Sequence, residues 1–430
     1  MKMCEYKFRN GERCKEEALP NSEYCILHVD LPEDEKSEEF KRINELKEEK
    51  VKEKVNKGDF NFEGAKLYKV DFCMKKIDHE LSYKDLIIKC NFVIFVDAVI
   101  RTDAHFDEVE MGGSALFGGA EIGGNAWFDR AKIGGNAWFE GAKIGEARVG
   151  GFAGVASFRG AEIGQNALFN KARIGGNAQF DEVKISISAL FGGVEIGGEA
   201  NFNDAEIGMD AKFNDAKIGR NAFFSRAKIG LGAWFDFSEI KGALIFKKTK
   251  FRFPAAQEKS CRKAKRICED FGDRIEADYY FYREMEAKRK QKYKMYSLKP
   301  ILKLIRKSGL EKPLHKYTEF FEKKRRIYWG FLELPVQYIF GYGVHPLWVI
   351  GWWLITVFSL AFVYWIGNGV EAADSLVEYI YFSVVTAATP GYGGYRPNPG
   401  FYQGLASFEA IFGTFMWAAF IATFARKYMR

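Results

Sequence analysis

Large apolar residues recur along this chain in two different ways. From about Phe62 to Phe251 they alternate at steps of five and six. Phe117, Phe128 and Phe139 are spaced by eleven, as are Ile122, Ile133 and Ile144. After an irregular stretch, Arg148 to Val155, the same period runs from Phe158 through Phe169, Phe180, Phe191, Phe202, Phe213, Phe224 and Phe235 to Phe246. Ile163 to Ile240 keep it as well, and the earlier Phe62, Leu67, Phe72 and Ile77 step by five. Neither the helical period nor strict strand alternation fits. Glycine every few residues would also cost a long helix about 1 kcal/mol each. A chain that turns a corner every five or six residues does fit. The large residue points inward, the Ala two places before it shares the interior, and Gly or Asn turns the corner. Stacked coils of this kind pair as short parallel strands about 4.8 Å apart. Four sides of five, six, five and six residues complete one coil. The break at 148–155 predicts a bulge or loop on one face.

The second pattern is continuous. Segments 347–366 and 405–424 are apolar over about 20 residues, the length a helix needs to cross a bilayer. Between them lies Tyr381-Phe-Ser-Val-Val-Thr-Ala-Ala-Thr-Pro-Gly-Tyr-Gly-Gly-Tyr395. Asp374-Ser375 is a good N-cap for a short helix over 376–387, which ends just before the glycines. Its negative C-terminal end would then favour cations. Irregular backbone at membrane depth is tolerated where it lines a watery path or is buried in protein. The glycines allow positive φ, so that successive carbonyls face one side. A ring of such carbonyls replaces a cation's hydration shell.

Thr389 to Gly394 resembles the Thr-Val-Gly-Tyr-Gly-Asp filter of the two-helix potassium-channel family, over roughly residues 330–430. Pro390 stands where Val is usual and Gly394 where Asp is usual. Pro keeps its carbonyl but disfavours the α region at Thr389, which reshapes the inner end of the filter. The resemblance implies that Thr389, Pro390, Gly391, Tyr392 and Gly393 hold ions through backbone oxygens, with the Thr389 hydroxyl as an inner ligand. One chain has one such segment, so a homotetramer is implied. Potassium is the expected transported ion. The coil pattern is similar to the pentapeptide-repeat family in its five-plus-six form. That resemblance implies a right-handed, quadrilateral parallel β-helix. The expected fold is therefore multi-domain: this β-helix plus an α-helical two-transmembrane pore module.

Composition adds a third site. Cys4, Cys14, Cys25 and His28 fall within the first 28 residues, in a segment too small to bury its own core. Three thiolates and an imidazole suit a closed, structural zinc site. The other cysteines and histidines are dispersed, and no disulfide framework or secretory leader is expected. The charged run at 33–57 has only a thin apolar stripe (Phe40, Ile43, Leu46, Val51 and Val55) and reads as a solvated helix or linker.

Residues 247–330 carry 26 Lys and Arg against 11 Asp and Glu. Lys323-Lys-Arg-Arg326 precedes the first apolar segment, and Arg426, Lys427 and Arg430 follow the second. By the positive-inside rule the N-terminal half and the C-terminus face the cytoplasm of a multi-pass protein in the cell membrane. The surplus also suits anionic lipid heads, and no nucleic-acid partner is expected. Residues 329–340 read as an interfacial helix. Glu409, within the second apolar segment, is expected either to hydrogen-bond behind the filter or to ring the pore. Gly413 is either a gating hinge or a packing contact. No nucleotide loop or catalytic dyad is present, so an enzyme is not expected.

These readings divide the chain into a zinc knuckle (1–30), a charged helix or linker (31–58), the β-helix (59–253), a basic helical connector (254–345) and a channel module (346–430). The expected function is a potassium-conducting cation channel with the β-helix as a regulatory or assembly domain. The second reading is a membrane-anchored β-helix scaffold whose pore is silent or unselective, Pro390 having spoiled the filter.

Overall fold

A computed structural model describes residues 2–71, 92–145, 153–295, 333–388 and 394–428. It divides into two units, Met1–Glu284 and Met285–Arg430.

In the first unit, four parallel sheets form the sides of a solenoid. Each coil contributes one strand of two or three residues to each side, and strands pair with those one coil away, as in Lys217↔Glu239. Two sides present Ile inward, as in the Ile174↔Ile196 and Ile185↔Ile207 pairs. The other two present Ala, as in Ala167↔Ala189 and Ala178↔Ala200. Phenylalanines at the strand ends fill the axis in two columns. Phe169 stacks on Phe191 at 4.9 Å between ring centroids, and Phe180 stacks on Phe202 at the same distance. The columns meet edge to face, as Phe180 does with Phe191 at 5.2 Å. These rings are fully buried.

Across the irregular stretch, equivalent residues lie 30 apart instead of 22. Eight extra residues therefore sit between two coils that pair normally, since Ile144 is still opposite Ile174. Phe128 also stacks on Phe158, so the core column is unbroken. Residues 146–152 of that stretch lie outside the described residues, as do Phe72 and Ile77.

Glycine turns several corners as expected, at Gly119, Gly141, Gly160 and Gly193, but other residue types take the same place elsewhere. Two residues after each Phe the backbone is left-handed. Glu108, Arg130, Lys171, Glu182, Asp204, Asp215, Arg226, Phe237 and Lys248 all occupy this position. The asparagines do other work. Asn166 Oδ1 accepts from the Ser188 N–H and Asn177 Oδ1 from the Glu199 N–H, so each ties its coil to the next. Glycine follows most of the inward isoleucines, although Ser186 and Lys241 take the same place, and where it does the approach is close: a Cβ on Gly197 would lie 2.1 Å from the Gly175 carbonyl oxygen.

Helix α1 (Glu38–Asn56) starts at Ser37, whose hydroxyl accepts from the Phe40 N–H. It is not simply solvated, because Phe40, Lys47 and Val55 are buried. At the other end of the solenoid, α2 (Pro254–Asp270) covers the last coil. Ser260 Oγ donates to the Ala233 carbonyl, and Cys261 and Ala264 are fully buried. From α3 (Arg274–Met295), Tyr280 Oη accepts the Phe246 N–H and Arg283 donates to the Thr249 carbonyl. Part of the basic connector is thus the end cap of the solenoid.

Among the described residues of the second unit, α4 (Pro346–Ile366), α5 (Leu376–Ala388) and α6 (Phe401–Tyr428) pack together. α4 and α6 are long and apolar enough to cross a membrane. α6 extends beyond the apolar segment at both ends, because Gln403 and Arg426–Lys427 continue the helix as polar ends. A helical stretch at 333–338 precedes α4.

Candidate pore segment and metal centre

The metal-centre residues come together through a small hairpin. Met3 bridges to Glu17 and Lys7 to Arg13, both antiparallel. The turn is made by Asn10-Gly11, with Gly11 at φ +86° and Asn10 Oδ1 accepting from the Glu12 N–H. This pairing cancels the long Cys4–Cys14 separation. A tight turn then places Cys25 and His28 side by side, with the His28 and Val29 N–H groups donating to the Cys25 carbonyl.

Cys4, Cys14, Cys25 and His28 are all buried, and their ligand atoms lie within 4.8 Å of one another. Sγ of Cys4 is 3.5 Å and Sγ of Cys25 3.2 Å from His28 Nδ1, and the Cys14 and Cys25 sulfurs are 3.9 Å apart. A tetrahedral zinc with ordinary bond lengths has edges of about 3.5–3.8 Å, so the donor set fits. His28 Nε2 donates to the Glu63 carbonyl at 3.1 Å, which leaves the Nδ1 lone pair facing the sulfurs. Burial pushes the Cys25 thiol up to about 12, also raises Cys14, and lowers His28. A pocket that disfavours free thiolate needs a cation to hold three of them.

Lys47 is the residue that sequence reasoning missed. Its ammonium is 1% exposed and reaches the carbonyls of Ile26 at 2.6 Å, Val29 at 2.7 Å and Leu27 at 3.4 Å. Burial pulls it down to about 7, yet three carbonyl acceptors use all three protons of the charged form. It also sets a positive charge beside a site that would be anionic with zinc bound. A lysine inside a charged run gave no sequence signal.

In the second unit, α5 is capped by a side chain from its own first turn, since Glu378 Oε2 accepts from the N–H groups of Asp374 and Ser375. Thr389, Pro390, Gly391, Tyr392 and Gly393, the expected filter, lie outside the described residues. The segments before and after them are joined by a two-stranded antiparallel pair in which Glu371 is opposite Arg396. Asn398 Nδ2 also donates to the Asn368 carbonyl.

Glu409 of α6 is 1% exposed. Its carboxyl meets Ser383 Oγ of α5 and accepts from Tyr364 Oη of α4 at 3.0 Å, so one side chain joins all three helices. Ser383 Oγ also lies 2.8 Å from the Val357 carbonyl. Within this chain, then, Glu409 packs behind α5. Gly413 lies one helical turn further on, where a Cβ would be 2.1 Å from the Ala387 carbonyl oxygen. Here α6 crosses the end of α5 too closely for any side chain.

A second Gly-Tyr-Gly, at 341–343, precedes α4. All three residues are left-handed, with φ +50°, +54° and +80°. The Tyr342 carbonyl accepts from Arg426 Nη1 of α6, and the Tyr338 carbonyl accepts from Trp352 Nε1 of α4. This turn directly follows the expected interfacial helix at 329–340, and sequence reasoning assigned it no role.

A family model for ion channels matches residues 351–430, and one for pentapeptide repeats (nine copies) matches residues 95–143. No curated protein and no solved structure matches the chain. The ion-channel match spans the α4–α5–α6 unit, and the repeat match falls within the stacked coils. The chain is therefore a pentapeptide-repeat β-solenoid joined to an ion-channel domain with two candidate membrane helices.

Proposed function

We propose that the protein is a homotetrameric, potassium-conducting channel of the cell membrane, with the solenoid as its assembly or regulatory domain. The observation that carries this reading is the ion-channel match over a unit in which α5 ends immediately before Thr389-Pro-Gly-Tyr-Gly393. Backbone oxygens of Thr389, Pro390, Gly391, Tyr392 and Gly393 would replace the ion's hydration shell, and four chains would close the ring. The basic surplus at 247–330 supports a cytoplasmic solenoid and contact with anionic lipid heads. Zinc is the metal that the Cys3His donor set favours, with Cys4, Cys14, Cys25 and His28 as its ligands.

The test is ion flux from liposomes holding the purified full chain, first under a potassium gradient and then under a sodium gradient. Potassium flux well above sodium flux is expected. Equal fluxes would replace potassium selectivity with general cation conduction. Pro390 favours the second reading, a silent scaffold, so Pro390→Val is measured alongside. Flux that appears only in this variant would make the native pore silent.

A further inference from the structure

We propose that the metal centre is the lid of the solenoid: metal binding at Cys4, Cys14, Cys25 and His28 holds the cover over the first coil. This rests on the zinc reading above. A solenoid must cover the apolar face of its terminal repeats. Here Phe60, Phe62, Ala65, Leu67 and Val70 of the first coil are buried. Cys4, Cys14, Cys25, Leu27 and Val55 pack into the same apolar cluster, with Tyr6, Phe8 and Ile26 against it. The covering segment is too short to form a core of its own, so its shape depends on what its four buried ligands hold.

The link from ligand to coil is direct. His28 donates through Nε2 to the Glu63 carbonyl, inside the first coil. The Lys66 N–H, on the first strand, donates to the Leu27 carbonyl, one residue from the same histidine. Tyr6 stacks on the His28 ring at 4.0 Å and lies over Gly64, where a Cβ would be 2.1 Å from its ring. On the hairpin, Arg9 makes a two-pronged ion pair with Asp97 at 2.6 Å, and its N–H donates to Glu63 Oε1. Arg101 of the next coil donates to the carbonyls of Leu31 and Pro32. Each bond ends on residues whose positions are set by the cluster, so losing the metal should release them together.

The test uses the full chain purified with its metal, with metal content and amide hydrogen exchange measured before and after chelation. One zinc per chain is expected. Stripping it should speed exchange at Phe62, Gly64 and Lys66 by at least about tenfold while Phe202, Phe213 and Gly219 hold theirs. Unchanged exchange in the first coil after the metal has gone would overturn the lid and leave the zinc site standing. Equal loss in all coils would mean general unfolding and would also overturn it. Absence of bound metal would remove the zinc reading and the lid with it. Arg9→Ala supplies an independent arm, since it keeps all four ligands. It should keep its zinc yet exchange faster at Gly64, and no change there would count against the lid.

Discussion

Arg426, two residues before the end of α6, donates from Nη1 to the Tyr342 carbonyl at 3.0 Å. The bond ties the end of the second candidate membrane helix to the left-handed turn that leads into the first. Gly343 leaves just enough room, since a Cβ there would be 3.1 Å from Arg426 Nη1. A bond present in one gating state and absent in the other biases the equilibrium by its own free energy, about 1.5 kcal/mol or roughly tenfold. Arg426→Ala is therefore expected to change basal ion flux by about that factor. Flux equal to that of the native chain would mean that the bond is kept, or absent, in both states.

Glu409 should tolerate loss of its charge far better than loss of its hydrogen bonds. Glu409→Gln can still donate to Ser383 and accept from Tyr364, whereas Glu409→Ala leaves both hydroxyls buried without that partner. The alanine variant is expected to lose about 2–4 kcal/mol and the glutamine variant less than about 1 kcal/mol. Thermal unfolding in detergent measures both. Equal losses would show that the charge itself is required.

Two backbone positions in the solenoid should respond in opposite directions. Phe237 is left-handed at φ +55° and its ring is 89% exposed, so it strains a corner without filling the core. Phe237→Gly is expected to stabilise the first unit by about 0.5–1 kcal/mol. Gly197→Ala, which forces a Cβ onto the Gly175 carbonyl, should cost more than about 2 kcal/mol. Denaturant unfolding followed by tryptophan fluorescence compares them, and the same sign for both would refute this account of the corners.

Metal binding should weaken steeply in acid. Burial raises the Cys14 and Cys25 thiols above their ordinary range, so these protons must leave as zinc enters. His28 is lowered and is already neutral near pH 7. If all three cysteines release a proton, affinity should fall by about a thousandfold for each pH unit below 8. A competition titration against a zinc indicator at pH 8, 7 and 6 checks the slope, and a flat profile would argue against thiolate ligation.

The coil was legible because Phe and Ile repeat with few lapses, and burying them allows one arrangement. Its corner chemistry was legible only where glycine stands, as at Gly119 and Gly193. Glu182 and Arg226 adopt left-handed backbone that single-residue preference disfavours, because their N–H groups are fixed by the carbonyls of Asn203 and Lys247 one coil on. The four metal ligands stood out by composition alone. Lys47 did not, since its burial depends on α1 meeting the carbonyls after Cys25. Likewise, Glu409 was visible as an acid in an apolar run, but Ser383 and Tyr364 become its partners only once three helices pack.

On one outer side of the solenoid Glu110, Lys132, Glu162, Lys184, Glu206 and Lys228 alternate from coil to coil, and the alternation stops at Lys250 on the last strand. Ion pairs join the first two, the middle two and the last two. The row behaves as a parity check. Sliding one stack of coils by a single turn sets like charge on like, whereas sliding by two restores the match. A lineage that lengthens or shortens this rod one coil at a time would have to rewrite the charges on that side. Gains and losses in pairs of coils would leave them readable.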